Sequence, residues 1–396
     1  MKKTLLATAI VSALVASTAA SAATVYDKDG TTLKVNARIE AQWYNAGSSM
    51  NYSGEKAPGN NDSSIYNWAR MGLDGRSKIN NYMTAFGYME FDVDDGDVTS
   101  DGLGARDQYI GVDFGAFGAV KTGRYKSLLN QVVSATDVLA GDGESGKTFV
   151  VGDSRNAGKL TYTWNGYGIL LGAEYQSAKD GYKDHAVKFD VESGYNLIAG
   201  YTTPSVLFGP ISIKAGYSYM NGQDDKTGYD YTFMAANNNA YSTDVDNQKA
   251  WAASLAWGNA ASGWYFAGEY SYNKTQFNTD SDFEFDDLKT SGFEVVGKYS
   301  FDNGLSLATG YQYEKWEQGD RVVKSGQVPV VAEYNFNSNF KVYAQANFGV
   351  TSTKDINGNV IKEVYYNIGE KDKFATGAAP TFGDGNAFAV GARYTF

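Results

Sequence analysis

The sequence contains no cysteine, a single histidine and only five prolines among its 396 residues. The absence of cysteine excludes a disulfide scaffold, a thiolate metal site and a cysteine nucleophile. One histidine leaves little material for imidazole chemistry. Long hydrophobic runs are also scarce, since the mean hydropathy is −0.39. Beyond residue 22 no stretch of about 18 apolar residues is available for a membrane-spanning helix.

Aromatic residues and glycine are abundant instead, with 30 Tyr, 21 Phe, 7 Trp and 45 Gly spread along the chain. This composition favours strands over helices. A chain of this length would ordinarily suggest two or three soluble domains of roughly 150 residues. No linker separates such domains in the sequence, so the composition indicates one strand-rich unit.

The first 22 residues have the layout of a secretory signal peptide. Lys2 and Lys3 form a basic start, residues 5–16 are apolar, and Ala20-Ser21-Ala22 is a small-residue cleavage site. We therefore predict a signal peptide at 1–22 and a single mature domain at 23–396. Cleavage removes two lysines and no acid, which changes the formal charge from −11 to −13. An exported acidic protein is a poor candidate for nucleic-acid binding.

Apolar and polar residues alternate strictly from Leu33 to Tyr44. Soluble strands usually run about 5 or 6 residues, whereas a strand crossing a bilayer needs about 9 to 11. The same alternation recurs down to the terminal segment 388–396. Charged residues such as Glu174 and Lys214 fall on the polar parity. Because Lys or Arg facing lipid costs about 2 to 4 kcal/mol, this parity is predicted to face the interior.

Short and long connections alternate between these segments. Tight turns are predicted at sites such as Asn80-Asn81 and Asn165-Gly166, and long polar loops at stretches such as 127–154 and 352–384. The pattern predicts an all-β fold, a transmembrane antiparallel β-barrel of about 16 strands with short periplasmic turns and long extracellular loops. Within 179–210 two segments look extended, and the pattern leaves open whether both cross the membrane.

Five segments, in their order along the chain, carry a family resemblance. They are Ala23 to Gly30, Ala69-Arg70-Met71-Gly72-Leu73, Gly123-Arg124-Tyr125, Ala135-Thr136-Asp137-Val138-Leu139 and Ala389 to Phe396. This set resembles the trimeric general-diffusion porins of Gram-negative outer membranes. The resemblance implies a homotrimer in the cell outer membrane, in contact with lipopolysaccharide and lipid. It also implies passive diffusion of small hydrophilic solutes and ions, no enzymatic activity and no cofactor.

The resemblance further implies a third loop folded into the lumen, where its acids face a basic row on the barrel wall. By position the basic row is Arg38, Arg70, Arg124 and Arg155, and the first loop acid is Asp137. Asp142, Glu144 or neither takes the place of the second loop acid. Opposed rows within about one Debye length create a field across the pore. Phe396 matches the C-terminal aromatic that the family's outer-membrane assembly machinery reads.

Three other patterns match a motif but not its context. Residues 141–148 fit the phosphate-binding loop G-x-x-x-x-G-K-[ST], yet the residues that follow look extended rather than helical. His185 is expected in a solvated loop. The acidic run Asp92 to Asp97 departs from the EF-hand spacing and is expected to be an acidic surface loop, with loose divalent bridging to lipopolysaccharide as the alternative.

Two rival functions remain open. A substrate-specific outer-membrane channel predicts aromatic residues along the interior, and four aromatics have interior parity. These are Tyr66, Trp68, Tyr88 and Tyr265. A secreted glycan-binding adhesin built as a β-sandwich predicts strands of about five residues.

Overall fold

The computed structural model is a closed antiparallel β-barrel. It describes residues 22–45, 64–93, 103–139, 151–152, 154–184, 187–224, 231–234, 240–278, 286–319, 321–350, 353–354, 360–361, 363–364, 382–383 and 387–396. Residues 1–21 of the predicted signal peptide and much of the long loops lie outside these residues.

Eighteen strands form the hydrogen-bonded wall. They are β1 (Ala23–Lys28), β2 (Thr31–Asn45), β3 (Ser64–Lys78), β4 (Thr84–Val93), β5 (Leu103–Asp113), β6 (Ala119–Lys126), β7 (Arg155–Gly166), β8 (Ile169–Gln176), β9 (Lys179–Asp184), β10 (Val187–Val206), β11 (Gly209–Gly222), β14 (Val245–Asn259), β15 (Ser262–Phe277), β16 (Leu288–Ser300), β17 (Leu305–Gln318), β18 (Arg321–Asn335), β19 (Phe340–Gly349) and β24 (Ala387–Thr395).

Two wall positions are each shared by two strands. β8 and β9 both pair with β10, one after the other. β1 and β24 pair with successive parts of the same edge of β2, so the two ends of the chain form one position. Reciprocal backbone hydrogen bonds join Ala37 and Phe396 at 2.7 and 2.9 Å. The wall therefore has sixteen positions and closes on itself, which confirms the predicted strand number.

The ambiguous segment 179–210 is resolved by β10, a single strand of 20 residues. It contains both extended stretches, so together they cross the wall once. Its length, like that of most wall strands, is incompatible with the β-sandwich alternative, which is wrong.

Three connections differ from the prediction. The turn predicted at Asn165-Gly166 lies two residues later, at Tyr167 and Gly168, whose φ angles are 55° and 82°. Glycine suits this left-handed geometry and Asn165 is instead the penultimate residue of β7. At the end with the long loops, β9–β10 and β17–β18 are joined by only two residues each, 185–186 and 319–320.

Small elements accompany the wall. A one-turn helix, α1 (Asn130–Val133), follows β6, and a 3-10 turn spans Gly115–Phe117. Short strands form three pairs within the long connections: β12 (Tyr231–Met234) with β13 (Ala240–Thr243), β20 (Thr353–Lys354) with β21 (Val360–Ile361), and β22 (Glu363–Val364) with β23 (Phe382–Gly383). None of the helices within the described ranges has the length and apolar character needed to cross a membrane.

Candidate pore and constriction

The strand β8 shows how the sequence divides the two faces of the wall. Ile169, Leu171 and Tyr175 are exposed on the outside, whereas Glu174 and Gln176 are buried on the inside. Successive strand side chains point to opposite faces, and exposed large hydrophobics recur around the barrel from Leu33 to Phe396. The predicted interior parity is confirmed, and the barrel has an apolar exterior and a polar lumen.

Arg38, the first member of the predicted basic row, lies on β2 beside a buried carboxylate. Glu40 is fully buried and accepts hydrogen bonds from Arg393 Nε at 2.6 Å and from the Tyr343 hydroxyl at 2.6 Å. Arg38 Nε lies 3.7 Å from the same carboxylate. Arg38 is therefore part of a charge group that joins β2 to the closing strands β19 and β24.

Arg70 on β3 belongs to a second charge group, on β3, β4 and β5. Its Nε lies 2.9 Å from Asp92 and 3.6 Å from Glu90. Arg106 on β5 bonds to the same two acids, with its Nε 2.7 Å from Glu90. The wall thus holds carboxylates within the basic row itself. Asp92 lies on β4 and pairs with these arginines, so it is not part of the predicted acidic surface loop. Residues 94–97 of that run lie outside the described residues.

The sequence did not predict Arg106 as a lumen residue, because strict alternation along β5 places Tyr109 on the inner face and Arg106 on the outer face. The β4–β5 register shifts between Met89 and Phe91, so two residues of β5 occupy the space opposite Glu90 and alternation restarts. The available signal was energetic, since an arginine on the lipid face is costly.

The remaining two predicted arginines lie near the start of the third loop. Arg124 on β6 donates its Nε–H to the backbone carbonyl oxygen of Arg106 at 3.1 Å. Arg155, the first residue of β7, bonds to Asp107 at 2.6 Å. The structure therefore brings Arg70, Arg124 and Arg155 to one region of the wall, each connected to β4 or β5. Arg38 is the cross-strand partner of Arg70 and also lies beside Glu40, in the neighbouring charge group.

The third loop begins at Ser127, and its first apolar residues pack against the inner wall. Leu128, Leu129, Val132 and Val133 are at most 3% exposed. They form one cluster with inward residues of β8, β10 and β14, which are Leu170, Ile198, Ala250 and Ala252. Gly216 on β11 makes room for them, because a Cβ there would lie 3.3 Å from Val132.

Polar contacts then attach residues 131–138 to the wall. Lys214 Nζ donates to the Gln131 carbonyl oxygen at 2.9 Å, and the Tyr265 hydroxyl donates to the Ala135 carbonyl oxygen at 2.6 Å. Thr136 Oγ1 donates to Glu294 at 2.6 Å. Because these partners lie on β11, β15 and β16, this part of the loop runs across the lumen side of the wall.

The predicted loop acids are only partly covered by the structure. Asp137 is exposed, between the anchored residues Thr136 and Val138. Asp142 and Glu144, the phosphate-loop match at 141–148 and His185 lie outside the described residues. Among the residues that are described, no group of three or more His, Asp or Glu could hold a metal ion.

Of the four aromatics with interior parity, Tyr88 and Tyr265 contact interior partners. The Tyr88 hydroxyl donates to Glu90 at 2.8 Å, and Tyr265 contacts the third loop. Trp68 is half-buried on β3, and the side chain of Tyr66 lies outside the described residues.

Comparison with known proteins agrees with this architecture. A profile of the family described as Gram-negative porin matches residues 42–377. The outer membrane porin protein OmpD of Salmonella typhimurium is 28% identical over 372 residues, covering 90% of this chain and 94% of that protein. Outer membrane porin F of the same organism is 26% identical over 407 residues, covering 96% of this chain and 100% of that protein.

Solved structures share the fold. The Salmonella typhi OmpF complex with daunomycin superposes with a TM-score of 0.66 at 20% identity, covering 94% of this chain and 100% of the other. The trimer form of OmpT, an outer membrane protein of Vibrio cholerae, gives a TM-score of 0.62 at 17% identity over 93% and 100%. With the family profile matched over most of its length, the chain belongs to the Gram-negative porin family and forms a porin channel in the outer membrane.

Proposed function

We propose that this porin is a water-filled, non-enzymatic channel through which small hydrophilic solutes and ions diffuse passively. The observation that carries the proposal is the division of the wall into an apolar exterior and a lumen lined by charged and amide side chains. Water-filled barrels of outer membranes have this polar interior. Solutes that keep their hydrogen bonds to water and to the lining cross at low cost, whereas apolar solutes gain little from it.

The selectivity is set at a constriction formed by the wall charges and the third loop. Arg38, Arg70, Arg124 and Arg155 form the basic row, and Asp137 is the loop acid within the described residues, with Asp142 and Glu144 as further candidates. Wall carboxylates such as Asp92 and Asp107 offset part of the basic charge. Together with the acidic net charge of the chain, this offset favours a modest preference for cations.

The assembly is a homotrimer associated through the outer face of β2 to β5. Glycines and polar residues interrupt the apolar surface there. Gly75 and Gly87 face outward, and Asn67 and Gln108 are exposed on the same side. Polar side chains are disfavoured on a lipid face, so a protein neighbour suits this sector better. The aromatic exterior of the other strands contacts lipid and lipopolysaccharide, and the assembly machinery reads Phe396.

The test is conductance of the purified protein in planar bilayers, with neutral sugars of increasing size added. We expect large, weakly voltage-dependent conductance that falls as sugars small enough to enter replace water. A complete lack of conductance from correctly folded protein would refute the diffusion channel.

A further inference from the structure

Four aromatic rings form a continuous patch on the inner wall of β4, β5 and β6. The centroid of the Tyr109 ring lies 6.3 Å from Phe86, 5.5 Å from Tyr88 and 5.7 Å from Tyr125. The opposite face of the same strands carries exposed residues such as Ile110. The patch therefore faces the lumen, between the turn at 114–118 and the start of the third loop.

Two of the rings lie along the wall above glycines. A Cβ on Gly111 would lie 2.4 Å from Cζ of Phe86, and a Cβ on Gly72 would lie 2.9 Å from the Tyr88 hydroxyl oxygen. Glycine in a strand permits such close approach. Phe86, Tyr88 and Tyr109 are each only partly buried, so these rings offer apolar surface to the lumen.

Lys121 places a positive charge against this surface. Its Nζ lies 4.0 Å from the Tyr125 centroid and 4.8 Å from the Tyr109 centroid, which are cation–π distances. Lys121 remains partly exposed, and within the described part of the chain it forms no salt bridge. Two acids attract it electrostatically, Asp107 and Glu174, and these lie beside Arg155 and Lys159 respectively.

This arrangement differs from that of the wall arginines. Arg70, Arg106 and Arg155 each contact a carboxylate at hydrogen-bonding distance. The Lys121 ammonium contacts ring faces, which leave its N–H donors available to an acceptor from the lumen. An anion that reaches the patch therefore meets a charge that no wall carboxylate neutralises directly.

We propose that Lys121 and the rings of Phe86, Tyr88 and Tyr109 form a weak subsite for small organic anions that carry a planar ring, such as aryl carboxylates. The carboxylate pairs with Lys121, and the ring stacks, offset, on the aromatic patch. This inference rests on the proposed diffusion channel and names one solute class that the channel retains in transit. A neutral sugar can contact the rings but forms no ion pair with Lys121, and a cation that carries a ring is repelled by Lys121.

The test measures single-channel KCl current of the full protein in planar bilayers with four added probes: benzoate, benzyl alcohol, benzylamine and acetate. Benzoate is expected to reduce the mean current at millimolar concentration, with the other three at least about fivefold weaker because each lacks the charge, the sign or the ring. Lys121→Gln should weaken the benzoate effect by about fivefold, and Tyr109→Leu should weaken it while the small effect of acetate stays unchanged.

Lys249 provides a matched control. Its Nζ lies 5.8 Å from the Tyr219 ring, but it lies on the outer face of the wall, two residues before exposed Trp251. Benzoate should therefore block the Lys249→Gln variant as strongly as it blocks the unaltered protein. Normal KCl conductance with equal block by benzoate and benzyl alcohol, stronger block by benzylamine, or undiminished block in Lys121→Gln would overturn the subsite. Loss of KCl conductance in the unaltered protein would refute the channel instead.

Discussion

Thr136 of the third loop donates a hydrogen bond to Glu294 of β16 across 158 residues of sequence, with 2.6 Å between Oγ1 and Oε2. Gln312 of β17 donates to the other oxygen of the same carboxylate at 3.2 Å. The loop is therefore fastened to the wall through a buried acid that belongs to the interior parity.

Thr136→Val removes this fastening while keeping the side-chain shape. A buried hydrogen bond to a charged group contributes about 1.5 to 3 kcal/mol, so we expect open-channel current noise to rise and the urea midpoint of the detergent-solubilised protein to fall. Thr309→Val is the control, because its hydroxyl bonds to the Pro329 carbonyl oxygen within the wall. Equal noise in both variants would contradict the anchoring role.

We expect the charge group of Arg106, Glu90 and Asp92 to influence ion preference. Arg106→Gln removes one cation that bonds to both Glu90 and Asp92, and we expect stronger cation preference. Asp92→Asn should have the opposite effect. Because unit charges 4 Å apart in water interact with about 1 kcal/mol, each change should alter the permeability ratio severalfold, measured as a reversal potential in a KCl gradient.

A variant in which Arg38, Arg70 and Arg124 are changed together to Gln should also shift the permeability ratio toward cations. An unchanged reversal potential in these variants would show that the substituted residues do not set the ion selectivity.

The proposed trimer surface can be tested by placing tryptophan at glycines that face outward. Gly87 faces outward on β4, and a Cβ there would approach nothing closer than 3.7 Å, so Gly87→Trp leaves the protomer wall intact. It should shift the protein from trimer to monomer in native electrophoresis and crosslinking. Gly268→Trp on the outer face of β15 is the matched control and should remain trimeric. A trimeric Gly87→Trp protein would place the interface elsewhere.

We expect the charge group around Glu40 to stabilise closure of the barrel. Arg393→Gln removes two of its hydrogen bonds, at 2.6 and 3.0 Å, and leaves a fully buried carboxylate undercompensated. Such a loss typically costs about 3 to 5 kcal/mol, so the unfolding midpoint should fall strongly. Lys315→Gln breaks a half-exposed pair with Glu317 and should cost less than about 1 kcal/mol. Similar midpoints for the two variants would count against the closure role.

Local features of the wall could be predicted from sequence because strand alternation is local. The outward Ile169 and Leu171 and the inward Glu174 follow from period two alone. The inward position of Arg106 could not be predicted in this way, since a bulge in the β4–β5 register changes the parity within one strand. Wall partners such as Asp92 for Arg70 depend on cross-strand register, and Thr136 with Glu294 depends on the path of a loop. These contacts are non-local, and no spacing in the sequence encodes them.

The backbone hydrogen bonds between Ala37 and Phe396 close the ring of strands. Other wall strands pair with strands that are close to them along the chain, whereas β2 obtains part of its second edge from β24, at the far end of the sequence. The contact that closes the ring therefore joins residues that are far apart along the chain, which is the kind of pairing that forms slowly. Without this contact the wall would be an open sheet with two exposed edges, so we expect truncation of β24 to abolish the pore rather than narrow it.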